Sequence, residues 1–249
     1  METVRVRDLV LGDGNPKICV PVIAHSYDEL KGVLDEVVKS DPDMVEFRAD
    51  FYFEEELPAL AAIRNAVGGR PVLYTIRTRE EGGEIAITEE SYIERNLAAT
   101  QYVDLIDLQL ERLHPASGGG KNKSLVERVR EMGAKVILSW HDFEGTPSKG
   151  ALIEKMTRME RSGCDIGKIA CMPRSRRDVL ALMEVSVEML EERAERPFIT
   201  MAMGNLGRVT RVASAFTGSC ITFATAGMMS APGQISAARL KPMLHELTV

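Results

Sequence analysis

The sequence predicts a single (β/α)8 TIM barrel spanning residues 1–249, with an N-terminal β-hairpin closing the barrel base. Three observations carry this expectation. Short apolar or β-branched runs alternate with longer amphipathic helical patterns along the whole chain, and eight such pairs fit the length. No GxGxxG follows the first run, which counts against the rival open, doubly wound sheet.

Taken in order, TVRVRDLVLGDGNPKICV reads as an extra strand, a Gly/Asn/Pro turn and the first barrel strand. The eight barrel strands are expected at residues 18–23, 44–50, 72–78, 103–110, 135–142, 166–172, 198–203 and 220–225. Helical patterns cover residues 27–39, 54–65, 89–100, 125–132, 149–162, 175–193, 206–215 and 235–247. The segment HPASGGGKNKS, residues 114–124, lacks the G-x-x-x-x-G-K-[ST] spacing of a phosphate loop and reads as a solvated connection.

Composition narrows the functional classes. With 45% hydrophobic residues the chain can bury a large core, and a formal net charge of −6 argues against general nucleic-acid binding. An anionic ligand must therefore be drawn by a local cluster of cations. Charges interrupt METVRVRDLVLG, so it is not expected to be a signal peptide. Residues 212–238 carry no charge, but Gly218, Gly227, Pro232, Gly233 and many hydroxyls favour a buried strand plus a loop over a membrane span. The four cysteines form no CxxC pair, and three of them, Cys19, Cys171 and Cys220, sit in apolar strand-like runs, as expected for a reducing cytoplasm. The four histidines show no metal-binding spacing, so neither a metal nor a disulfide framework is expected.

The informative residues are polar ones in strands. Alternate residues of a barrel strand face the axis, so in MVEFRAD the apolar Val45, Phe47 and Ala49 suit the helix-facing layer, leaving Glu46, Arg48 and Asp50 inward. By the same parity Thr75 and Arg77 pair in VLYTIRT, Ser139 and His141 in KVILSWHDF, and Lys168 lies inward within DIGKIACMP. Arg48, Arg77 and His141 fall at the C-terminal ends of their strands, where barrel active sites form. Each residue also has a structural reading: a snorkelling lysine, a hydrogen-bonded core histidine, or a Glu46–Arg48 ion pair. Recurrence at corresponding levels of different strands favours a site. Asp104 and Asp107 are read as bonding loops and are given no chemistry.

These motifs together resemble the type I 3-dehydroquinate dehydratases of the shikimate pathway. The resemblance rests on EFRAD at 46–50, TIRTREEGGE at 75–84, SWHDF at 139–143, GKIACMP at 167–173, TMAMGNLGRVTR at 200–211 and SAPGQI at 230–235, in that order. It implies a barrel that uses no cofactor or metal and is usually dimeric. It also implies that Lys168 forms a Schiff base with the substrate ketone and that His141 acts as general base and then general acid. Glu46 is expected to orient His141. Glu46, Arg48, Arg77, Arg211, Ser230 and Gln234 are expected to bind 3-dehydroquinate, with Arg211 on its carboxylate and Glu81 helping to close the mouth. One departure is Pro21, which stands where the family often has a serine.

The chemistry accounts for these residue types. Eliminating water from a β-hydroxy ketone needs an electron sink, and a protonated imine is a far better one than a ketone. Burial and the nearby Arg48 and Arg77 are expected to hold Lys168 below the usual lysine pKa of about 10.4. An imidazole can exchange the proton in both directions near neutral pH, and one base serving both steps implies elimination from a single face. The loop MMSAPGQI, punctuated by glycine and proline, is expected to close over substrate. Two rivals remain at this stage: a Schiff-base aldolase acting on a phosphosugar, and a non-catalytic barrel that binds a small carboxylate.

Overall fold

Eight parallel strands curl into a barrel in the computed structural model, which describes residues 1–113 and 123–247. Ahead of them, β1 (Val4–Val6) and β2 (Leu9–Leu11) form a separate antiparallel hairpin. The barrel strands are β3 (Lys17–Val22), β4 (Met44–Arg48), β5 (Val72–Thr75), β6 (Leu105–Gln109), β7 (Lys135–Asp142), β8 (Ile166–Cys171), β9 (Phe198–Ala202) and β10 (Ile221–Phe223). Consecutive strands from β3 to β9 are neighbours, and β10 pairs with β3. The circle closes at a bridge between Phe198 and Ser219. Of the connection expected over residues 114–124, residues 114–122 lie outside the described residues.

The helices are α1 (Tyr27–Lys39), α2 (Glu56–Val67), α3 (Glu89–Ala99), α4 (Leu125–Glu131), α5 (Lys149–Arg161), α6 (Arg176–Glu188), α7 (Gly204–Val212), α8 (Ser214–Thr217) and α9 (Ala237–Glu246). Local chemistry starts five of them: the side chains of Ser26, Thr88, Ser124, Ser148 and Ser175 each accept a backbone N–H of the first turn. Ser175 and Asp178 close a reciprocal capping box, as do Ser124 and Glu127.

Several expectations need correction. The hairpin turns at Arg7–Asp8, with Arg7 at φ 53°, and so pairs β1 with β2 rather than with the first barrel strand. Residues 49–51 leave β4 as a 3-10 turn and β5 stops at Thr75, so Asp50 and Arg77 lie on strand-to-helix connections. The helix expected over 175–193 ends in a π turn at Met189–Arg193, and that over 206–215 begins at Gly204 and divides into α7 and α8.

Two apolar layers position the site. The larger one lies between strands and helices. The smaller fills the lower barrel with Cys19, Met44, Leu73, Leu105, Ile137, Ile166, Ile199 and Ile221, against which Val4, Val6 and Leu11 of the hairpin pack. Burying those three hairpin side chains contributes roughly 5–9 kcal/mol as an upper figure. The hairpin thus plugs the N-terminal end, and polar residues accumulate at the other. Among the described residues no helix is long and apolar enough to cross a membrane.

Candidate active site

The strand period of two carries each strand from apolar layer to polar layer. Glu46 follows Met44, Thr75 follows Leu73, Asp107 follows Leu105, Ser139 follows Ile137 and Lys168 follows Ile166, each pair on one strand face. Neighbouring registers align Ser139 with Lys168 and His141 with Ala170, so lysine and imidazole project into one cleft from adjacent strands, His141 nearer the mouth.

Lys168 is 4% exposed, and its Nζ donates to Asp107 Oδ2 at 3.0 Å. Asp107 also accepts from Arg77 at 2.8 Å and from Ser139 Oγ at 2.5 Å. Burial alone would raise the Asp107 carboxyl, but Arg77, Lys168 and His141 together hold it well below the usual carboxylate range. Asp107 was given no chemistry from the sequence; the structure puts it against the lysine. Its inward parity was the available signal, the same one that singled out Lys168. Asp104, by contrast, stays outside the cleft, accepting from Arg7 in the hairpin turn, Arg64 on α2 and the Val72 N–H at the start of β5.

His141 bonds through Nδ1 to Glu81 Oε2 at 2.8 Å. The expectation that Glu46 orients His141 is therefore corrected: Glu46 accepts instead from Thr75 Oγ1, at 2.8 Å. Glu81 reaches the imidazole because residues 78–83 fold into a tight turn, in which Gly83 N–H donates to Thr78 and Gly82 adopts φ 77°. A Cβ on Gly83 would lie 1.9 Å from the Arg77 carbonyl oxygen, so the turn requires glycine there. Burial, then Arg77, pushes the His141 pKa down to about 4 although Glu81 pulls it up. The ring is neutral at pH 7.

The three arginines of the cleft are not equivalent. Arg48 makes a bidentate pair with Asp50 at 2.8 and 2.7 Å, and Arg77 donates to Asp107, Glu81 and Ser139. Arg211, on α7 and 2% exposed, has no carboxylate among the described residues. Among the described residues its donors reach only the Phe223 and Pro232 carbonyls and the Met201 sulfur, and its buried Nε has no partner there. Burial lowers its pKa to about 10.

The loop after β10 covers the cleft. Ser230 and Gln234 bond each other twice, and the carbonyl of Ser230 accepts from Arg48. All eight residues singled out from the sequence, His141, Lys168, Glu46, Arg48, Arg77, Arg211, Ser230 and Gln234, line this one cavity. Glu81 and Asp107 complete its charge pattern. Among the described residues no group of three or more His, Cys, Asp or Glu side chains is placed to hold a metal.

The model of the type I 3-dehydroquinase family matches residues 18–249. The chain belongs to that family. A relative from Syntrophotalea carbinolica, a 3-dehydroquinate dehydratase, is 41% identical over 254 residues, covering 99% of this chain and 98% of that protein. The crystal structure of 3-dehydroquinate dehydratase from Geobacillus kaustophilus superposes with a TM-score of 0.92 at 35% identity, over 99% of this chain and 96% of that one. The type I enzyme from Clostridium difficile, solved with covalently modified comenic acid, gives 0.89 at 33% identity over 99% and 98% of the two chains. As a type I 3-dehydroquinase, the chain places its inward polar strand residues at the C-terminal mouth of a barrel, where catalytic groups of this fold collect.

Proposed function

We propose that this chain dehydrates 3-dehydroquinate to 3-dehydroshikimate by syn elimination through an imine at Lys168, with His141 as general base and then general acid. One observation carries the reading: a buried lysine and a neutral, carboxylate-bound imidazole share a cleft with Arg211, a buried guanidinium lacking a carboxylate.

The Lys168 amine, once neutral, attacks the ketone, and loss of water leaves a protonated imine. His141 carries its proton on Nδ1 toward Glu81, so Nε2 is free to take the proton next to the imine carbon. The enamine then expels the β-hydroxyl, which His141 protonates on the same face. Water hydrolyses the product imine.

A substrate carboxylate on Arg211 supplies the charge-assisted bonds that the guanidinium lacks in the free protein. Glu46, Arg48, Ser230 and Gln234 line the same cavity with donors and acceptors for ring hydroxyls. Arg77 lines it too, but it holds Asp107, Ser139 and Glu81. The chain acts as one catalytic domain, without metal or cofactor. It pairs as a homodimer, for which Leu206, Val209 and Phe216 on α7 and α8 offer exposed apolar surface. A cytoplasmic setting suits its four free cysteines.

The test is an absorbance assay for the conjugated enone, with purified protein and 3-dehydroquinate and no added cofactor. Enone formation is expected. Inactivity on dehydroquinate combined with cleavage of a sugar phosphate would replace this reading with that of an imine-forming aldolase.

A further inference from the structure

We propose that Asp107 is the counter-ion of the protonated imine formed at Lys168, keeping that nitrogen positive while the neighbouring proton is removed. The inference rests on the dehydratase reading above and adds to it a residue acting directly on the reacting nitrogen.

Asp107 sits on β6 with 0% exposure, and its two oxygens have different tasks. Oδ1 is occupied by Arg77 and Ser139. Oδ2 points at Nζ of Lys168, 3.0 Å away. The same nitrogen lies 4.3 Å from the centre of the Phe223 ring, whose π face also attracts positive charge.

These surroundings answer a question that nucleophile activation leaves open. An amine that only had to be neutral in order to attack would be better served by apolar walls and cationic neighbours. Lys168 instead meets a carboxylate and an aromatic face, both of which suit a cation. The reaction itself supplies that cation on the same atom. As the C–N bond forms, the ketone electron pair moves to oxygen; the oxygen then departs as water, leaving C=N with one hydrogen and one positive charge on nitrogen.

While it is positive, that nitrogen accepts the electron pair released when His141 removes the adjacent proton, giving a neutral enamine. The pair returns to the carbon framework as the C–O bond breaks, and His141 gives its proton to the departing oxygen. The nitrogen is again a protonated imine, facing the same carboxylate, until water hydrolyses it. If the imine lost its proton the electron sink would vanish. Because Arg77 and Ser139 keep Asp107 ionised and fixed, the counter-ion is in place before substrate arrives.

Two measurements test this. Removing an opposite charge at this range shifts a pKa by about 1–3 units, so Asp107→Asn should move the alkaline limb of the kcat–pH profile acidward by that amount. KM should change far less than kcat. An unmoved limb in folded Asp107→Asn would overturn the proposal. Should that variant not fold, the second measurement uses 15N-lysine-labelled His141→Ala protein mixed with 3-dehydroquinate, followed by nitrogen NMR across pH. A protonated-imine signal persisting well into alkaline solution is expected. A signal that titrates as an imine does in water would overturn the counter-ion role, whereas absence of any adduct on the wild type as well as on this variant would overturn the dehydratase reading beneath it.

Discussion

His141 Nδ1 lies 2.8 Å from Glu81 Oε2, so the nitrogen left for substrate is Nε2. Burial and Arg77 lower the imidazole to about 4, and Glu81 opposes them. The folded pKa is thus below the unfolded value near 6.5. The associated stability is present above pH 6.5 and is lost as pH falls toward 4. The acid limb of kcat, which reads the imidazole once the imine has formed, should accordingly lie near pH 4, and Glu81→Gln should move it lower still by removing the group that raises the ring. A wild-type limb near the ordinary histidine value would contradict this assignment.

On the proposed roles, replacing His141 by alanine removes the proton carrier but not the nucleophile. Turnover should fall by about 10²–10⁴-fold, the usual size of general acid–base catalysis, while the imine still forms. Intact mass after borohydride reduction checks this. A folded variant that neither traps nor turns over substrate would show that the role of His141 is drawn too narrowly.

Arg211 should account for much of the substrate affinity. Hydrogen bonds to charged groups are worth about 1.5–3 kcal/mol, so Arg211→Met should weaken substrate binding by roughly 10–150-fold. Thermal shift gives a second reading: 3-dehydroquinate should raise the melting temperature of the wild type far more than that of the variant. Equal shifts would assign the carboxylate to another group.

Gly207 holds α7 close against β9. A Cβ there would lie 2.1 Å from the Ala202 carbonyl oxygen, so Gly207→Ala must displace the helix that carries Arg211. Overpacking of this kind costs about 1–3 kcal/mol. Both the denaturation midpoint and the substrate affinity should fall; a variant with unchanged midpoint would contradict the close packing.

Pro21 determines where the covering loop begins. Lys17 N–H donates to the Cys220 carbonyl and the Cys19 carbonyl accepts from Ala224, so the next donor along β3 would be residue 21, which as proline has none. The pairing of β3 with β10 ends there, and the chain leaves the barrel toward Ser230. Pro21→Ser should extend the ladder and slow proteolysis after Met228 or Met229, both exposed in the free protein. Substrate should protect the same bonds in the wild type. Cleavage rates unchanged in both comparisons would remove the link between ladder and loop.

The barrel was legible because strand and helix periods alternate cleanly, and because a period of two separates Val45, Phe47 and Ala49 from Glu46, Arg48 and Asp50. The same parity located Lys168 and His141. What it could not supply was pairing across strands. Glu81 rather than Glu46 meets His141 because a glycine-dependent turn swings residues 78–83 over the mouth, which strand parity does not describe. Asp107 was visible as an inward carboxylate, but its contact with Lys168 depends on two strands that are not adjacent in the sheet. The hairpin turn was misplaced because the Gly/Asn/Pro signal at 12–16 marks the entry to β3, while Arg7 takes the positive φ.

The most direct test is intact mass after borohydride treatment in the presence of 3-dehydroquinate, comparing wild type with Lys168→Ala. A reduced adduct on the wild type alone is expected, and it would establish imine chemistry, substrate class and nucleophile together. No adduct on folded wild type, or an equal adduct on Lys168→Ala, would contradict the account.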